Sequence, residues 1–190
     1  SYFDGELCSV TEDPPPAAPY GYDWVGTPVI ANPSTPLGPA TAVTIPVTNT
    51  LQRQLASLEL TKLITGPAPG LGLVNGQFDF VLNCGADGSF TASIVVVGGV
   101  SNKVTVGGLP VGASCSLSEP GRAAAPPGYE WEAPVIAPSS VVIPAQGMVG
   151  SATVTNPLKR LLSALSISKA IGGAANGVAK VNASFAFQLD

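Results

Sequence analysis

The sequence predicts an all-β chain, a tandem array of β-sandwiches, on three observations. The 190 residues include 22 Gly and 19 Pro, so turn formers punctuate the chain every few residues,. Apolar residues make up 45%, enough to bury a core, whereas the 11% that are charged are too few to solvate a helical protein of this size,. The chain also repeats itself. Cys8 and Cys115, Glu12 and Glu119, Tyr22 and Tyr129, Trp24 and Trp131, Asn49 and Asn156, Lys62 and Lys169, and Phe78 and Phe185 are each separated by 107 positions.

The repeat fixes the organisation. One compensated slip is visible, because residues 27–31 match 133–137 at 106. Laid without gaps over 162–190, residues 55–83 give 12 identities in 29 positions, the divergence of tandem domains rather than of a low-complexity tract,. Residues 1–50 are therefore expected to be the C-terminal part of one sandwich, 51–157 a complete one, and 158–190 the N-terminal part of the next. In this register the chain opens at the equivalent of Gly108 and stops at that of Asn83, which reads as a window on a longer protein or a processed subunit, with a Cys expected after Asp190.

Within the complete repeat, strands are expected near 57–65, 77–84, 89–97, 102–107, 113–119, 130–136, 140–143 and 150–156. The first is set by Leu58, Leu60, Lys62 and Ile64, which fall on one face at period 2,. The second carries Phe78, Phe80, Leu82 and Cys84 on one face. The fifth carries Cys115, Leu117 and Glu119, and the last carries Val154 and Asn156. Gly85–Gly88, Gly98–Gly99, Gly107–Gly112 and Pro120–Gly128 supply the turns between them,. Short alternating strands in this number make a two-sheet sandwich.

Three polar residues thus sit on otherwise apolar faces: Lys62, Glu119 and Asn156. Their counterparts Lys169, Glu12 and Asn49 do the same. A buried amine, carboxyl or amide costs several kcal/mol unless it finds a partner, so the simplest expectation is that the three meet. The alternative is that Lys62 snorkels from a strand end, Glu119 pairs with it as an ion and Asn156 caps a turn.

The remaining signals exclude more than they assign. A net charge of −4 with scattered Lys and Arg argues against nucleic acid,. No apolar run approaches the ~18–20 residues of a membrane-spanning helix. Without histidine there is no Ser-His-Asp or Cys-His set, and without a close Cys pair there is no metal site, so no cofactor is expected,. Cys84 and Cys115 both face inward in one repeat, which suggests a disulfide in an oxidising compartment, with Cys8 the widowed half of another; buried free thiols are the alternative. Tyr129 and Trp131, like Tyr22 and Trp24, follow proline-rich loops and could form a glycan or peptide platform, or anchor those loops.

The runs Leu60-Thr61-Lys62, Gln77-Phe78-Asp79-Phe80, Gly108-Leu109-Pro110-Val111-Gly112 through Glu119, Pro126-Pro127-Gly128-Tyr129 and Thr153-Val154-Thr155-Asn156 resemble, in order and over the whole repeat, the collagen-adhesin B-type (CnaB-like) repeat. The resemblance implies a prealbumin-like immunoglobulin sandwich of the kind that builds stalks and pilin shafts on bacterial surfaces. It also implies an isopeptide bond between Lys62 on the first strand and Asn156 on the last, promoted by Glu119. Cys115 departs from the pattern, since an aromatic usually precedes the Glu; it resembles a disulfide-bearing branch of such repeats.

Chemistry fits these roles. Burial favours a neutral, nucleophilic amine and a protonated carboxyl that can polarise the Asn156 carbonyl, and the fold supplies proximity. The expected function is a structural repeat of an extracellular bacterial stalk, fibre or filament, with no chemistry beyond a single self-crosslinking turnover. Its expected partners are neighbouring repeats of the same chain or neighbouring copies in a fibre, and a host or surface receptor engaged through other parts of the parent. The alternative is an adhesin module that binds a glycan or protein through the Tyr/Trp loops. Were the chain a complete subunit, Lys169 of one copy could meet Asn49 and Glu12 of the next, but that composite sandwich would lack the equivalents of 84–107, and the sequence favours a continuous parent chain.

Overall fold

The computed structural model describes residues 5–38 and 42–189. The described part opens with six short strands, β1 (Leu7–Ser9), β2 (Tyr22–Trp24), β3 (Val29–Ile30), β4 (Ser34–Pro36), β5 (Val47–Thr48) and β6 (Leu51–Arg53). The central unit follows with β7 (Leu55–Thr65), a helical turn α1 (Ala68–Leu71), β8 (Gly76–Asn83), β9 (Ser89–Val96), β10 (Asn102–Pro110), β11 (Ser114–Gly121), β12 (Tyr129–Trp131), β13 (Val135–Ala137), β14 (Ser140–Val142) and β15 (Val149–Arg160). After Arg160 the described chain forms no strand and only one helical turn, α2 (Ala175–Val178).

The central unit is a two-sheet sandwich. One sheet runs β10-β7-β15-β12, with β13 also on β15; the other runs β14-β11-β8-β9. Leu58, Leu60, Phe78, Phe80, Leu82, Leu109, Ile143 and Val154 fill the space between them and are almost fully enclosed. The alternation that predicted β7 is realised without a slip, because Leu58, Leu60, Lys62 and Ile64 are all buried while their neighbours reach the surface.

Two elements differ from expectation for backbone reasons. The strand expected over 130–136 is two strands, β12 and β13. Pro134 has no N–H to give the ladder, and the break around it lets the chain pair first with Leu158–Arg160 and then with Thr153–Thr155 of β15,. The strand expected to stop at 107 continues to Pro110 through a bulge between Val106 and Leu109, where Gly108 takes a φ of 73° that a β-carbon would resist,.

The first and last strands of the unit, β7 and β15, lie side by side and parallel, with Lys62 opposite Val154 and Asn156 opposite Ile64. Parallel neighbours cannot be joined by a tight turn, so the whole unit is the crossover between them. Lys62 and Asn156 consequently share the inner face two register positions apart.

Cys84 and Cys115 are joined as a disulfide. The antiparallel β8–β11 register, Leu82 with Leu117 and Asn83 with Ser116, carries on to set these two cysteines opposite each other. Cys8 is a free thiol. Among the described residues no helix is long and apolar enough to cross a membrane.

The bridge closes a span of 31 residues, which by loop entropy is worth about 3–4 kcal/mol. Replacing both cysteines by serine is therefore expected to lower the unfolding free energy by about 2–4 kcal/mol, read by urea denaturation of oxidised protein against the double variant.

Candidate functional site: a buried lysine, glutamate and asparagine

Three adjacent strands bring the site together. Lys62 comes from the middle of β7, Asn156 from β15 beside it, and Glu119 from β11 of the facing sheet. Period-2 alternation aims each of them into the sandwich, so their meeting follows from the stacking of the sheets rather than from any loop.

Lys62 and Asn156 have no exposed surface and are the two polar residues buried in the core of the described chain. The Lys62 Nζ donates to Glu119 Oε1 at 2.6 Å, and Asn156 Nδ2 donates to Glu119 Oε2 at 2.8 Å. Both side chains of the ion pair are wholly enclosed. One carboxylate thus holds the amine and the amide on its two oxygens.

Aromatic rings close the site. Lys62 Nζ lies 4.5 Å from the centre of the Phe78 ring and 5.9 Å from that of Phe80. The ring faces favour a cation, yet they also keep water away. Desolvation holds the Lys62 amine below its ordinary value of 10.5; the hydrogen bond and charge of Glu119 pull the other way, and Arg122 adds a smaller downward push,.

The Asn156 carbonyl is unsatisfied. Its Oδ1 is buried and accepts no hydrogen bond, a cost of about 1–3 kcal/mol. A protonated Glu119 could serve it, and a carboxylate cannot.

The flanks carry fragments of the same arrangement. Asn49 Nδ2 donates to Glu12 Oε1 at 2.7 Å in an exposed setting. Lys169 Nζ lies 5.0 Å from the centre of the Phe185 ring, as Lys62 does from Phe78. Lys169 makes neither a hydrogen bond nor an ion pair with Glu12 or Asn49 among the described residues.

Tyr22, Trp24, Tyr129 and Trp131 each make an intrachain contact. Trp131 packs edge-on to Phe78 at 6.0 Å, and its Nε1 donates to the Ala123 carbonyl at 2.8 Å; Trp24 Nε1 likewise donates to the Pro16 carbonyl at 2.7 Å. Tyr129 lies against Gly70 so closely that no β-carbon would fit there. Tyr22 lies under the Arg53 guanidinium, 4.6 Å from ring centre to Cζ. These contacts tie the proline-rich loops to the sheets.

Sequence reasoning did not single out Phe80 or Arg122 as neighbours of the amine. Phe78 and Phe80 were legible as inward residues of one strand, but which inward residue of the other sheet they would face is a matter of how the two sheets stack. Arg122 lies beyond the end of β11 and has no periodic signal.

The structure thus defines a two-sheet β-sandwich with an amine, a carboxyl and an amide buried together in its core. A family model described as Domain of unknown function (DUF5979) matches residues 58–158, more than half of the chain, and the chain belongs to that family. No curated protein matches. Among solved structures, a bacterial adhesin from Mobiluncus mulieris containing intramolecular disulfide, isopeptide and ester bond cross-links is similar at 20% identity and a TM-score of 0.38, covering 77% of this chain and 56% of its own. The major pilin T3.2 of Streptococcus pyogenes is similar at 18% identity and a TM-score of 0.31, with 75% and 64% covered, and the T-13 major pilin at 19% and 0.29, with 72% and 61% covered. The chain spans less than two thirds of the length of each of these structures.

The depressed Lys62 amine has a sign. An unreacted lysine binds more protons in the unfolded chain than in the folded one between its lowered folded value and 10.5, so stability rises with pH across that window and the full penalty applies below it. The variant Asn156→Ala, which keeps the amine and removes its acceptor, is expected to gain stability as pH climbs toward 10.5. The pair Lys62→Met with Asn156→Ala is expected to lack that gain, measured by urea denaturation at stepped pH.

Proposed function

We propose that this chain is a segment of a bacterial surface stalk, fibre or filament, extracellular, whose successive sandwiches are locked by an internal Lys62–Asn156 isopeptide bond and the Cys84–Cys115 disulfide. The observation that carries the reading is that one fully buried carboxylate holds the lysine amine at 2.6 Å and the asparagine amide at 2.8 Å.

The reaction follows from that geometry. Proton transfer from Lys62 to Glu119 within the buried pair leaves a neutral amine and a carboxylic acid, the states that desolvation favours. When the Asn156 amide turns its orphaned Oδ1 toward Glu119, the acid donates to it and makes Cγ more electrophilic. The amine attacks Cγ, a C–N bond forms, the Cγ–Nδ2 bond breaks, and ammonia leaves with the proton that Glu119 returns. The product is a neutral amide with no buried charge. No external substrate is consumed, and each molecule reacts once.

The bond has a mechanical purpose in this topology. Because β7 and β15 are parallel neighbours, tension applied to the two ends of the unit shears their ladder. A link from Lys62 to Asn156 carries the load around that ladder and leaves the intervening residues unstressed. Tandem units of this kind, at an interval of 107 residues, would make a stiff rod. The flank geometry supports the repeat: α1 and α2 start 107 positions apart, at Ala68 and Ala175, and Tyr22 pairs with Arg53 as Tyr129 pairs with Arg160.

Intact-mass measurement under reducing conditions tests the bond directly. The wild-type chain is expected to be light by one ammonia, with a branched Lys62–Asn156 peptide after digestion, whereas Lys62→Ala, Asn156→Ala and Glu119→Ala are expected at full mass. A full-mass wild type would remove the isopeptide reading.

Pulling on the ends of single molecules tests the mechanics. With the disulfide reduced, Lys62→Ala is expected to release the 94-residue separation between Lys62 and Asn156, roughly 30 nm of contour; the wild type is expected not to release it at any force below covalent rupture.

A further inference from the structure

The joint between β6 and the central unit is one residue long. β6 ends at Arg53 and β7 starts at Leu55, leaving Gln54 between them. That residue is bonded on both sides: its N–H donates to the Gly21 carbonyl at 2.8 Å, and its own carbonyl accepts from the Val111 N–H at 3.0 Å. Its side-chain Nε2 donates to Asp23 Oδ1 at 2.8 Å. A linker this short, engaged through backbone and side chain alike, has little freedom to act as a hinge.

Around Gln54 the two sides touch directly. Gly21 is buried, and a β-carbon there would stand 2.8 Å from the Val111 carbonyl oxygen; one on Gly112 would stand 2.9 Å from the Tyr20 ring. Both glycines also hold a positive φ, 80° and 78°,. Arg53 reaches further across. Its guanidinium lies on the Tyr22 ring of its own side, 4.6 Å from the centre, and donates from Nη2 to Asp87 Oδ2 of the other side at 3.1 Å. An ion pair this open contributes little by itself. The backbone contacts therefore hold the joint together, and Arg53, clamped between a ring and a carboxylate, fixes its direction.

The receiving surface has two pieces, the turn Gly85–Asp87 and the corner at Val111 and Gly112. The first follows Cys84 directly, and the second comes shortly before Cys115. The Cys84–Cys115 disulfide thus pins the two pieces to each other.

We propose that Tyr20, Tyr22 and Arg53 form a docking face through which one sandwich is held at a fixed angle on the next, and that the Cys84–Cys115 disulfide assembles the surface that receives it. The partner is the following repeat of the same chain, recognised by a carboxylate and a glycine corner. Contacts between domains of one chain ordinarily permit relative motion; this joint suppresses it, and loss of the disulfide restores it without cutting the chain. The inference deepens the stalk reading above and rests on its consecutive sandwiches, and the test separates the two.

Pulsed electron paramagnetic resonance reads the angle as a distance. Thioether-linked spin labels are placed on the full chain at Val25→Cys and Thr91→Cys, both exposed positions, with Cys8→Ser removing the free thiol. A single narrow distance is expected. Tyr20→Ala with Arg53→Ala, and separately Cys84→Ser with Cys115→Ser, are each expected to lose it, while hydrogen exchange shows the β7 and β8 amides still protected. A broad distribution in the starting protein, or a narrow one that survives the Tyr20→Ala and Arg53→Ala changes, overturns the docking face. A narrow one that survives loss of the bridge overturns the role of the disulfide; reduction of the folded starting protein decides the same point if the serine variant fails to fold. The intact mass is read on the same protein. Full mass with a narrow distance removes the Lys62–Asn156 bond and supports the joint, whereas the bond with a broad distance overturns the joint alone.

Discussion

Everything in the central unit turns on a single carboxylate buried between two sheets. Glu119 reaches across the sandwich from one sheet to hold two groups on the other, Lys62 and Asn156. Charges that have lost water must be compensated in place, so this contact fixes the relative stacking of the sheets and the register of β7 against β15. A slip of one residue in either strand would turn its polar member to solvent and leave one oxygen of Glu119 without its partner,.

The same contact is poorly stabilising as it stands. Desolvation of the ion pair offsets much of its attraction, and the Asn156 carbonyl goes unserved,. The proposed conversion to an amide would remove both charges. A buried Lys–Glu pair whose attraction is largely offset by desolvation would gain from the proposed conversion to a neutral amide.

Covalent links divide the labour. The disulfide joins β8 to β11 within one sheet, and the proposed isopeptide would join β7 to β15 within the other. Between them, both sheets are tied, and the two loops they enclose share the stretch from Cys84 to Cys115. The aromatic residues around the proline-rich loops add ordinary packing to this frame: Trp131 against Phe78, and Tyr129 against the backbone of Gly70.

The alternation of Leu58, Leu60, Lys62 and Ile64 was enough to place a lysine on a buried face, because in a strand the side chain's direction is decided by parity alone. Parity likewise located Cys84, Cys115, Glu119 and Asn156 on inner faces,. What parity cannot say is which strands lie side by side. That β7 and β15 are parallel neighbours, that Phe80 faces the amine, that the expected strand at 130–136 breaks at Pro134, and that β9 and β10 are edges all depend on how two twisted sheets pack around one core. Such pairings are set by contacts between residues far apart in the chain, whose energies no local pattern contains.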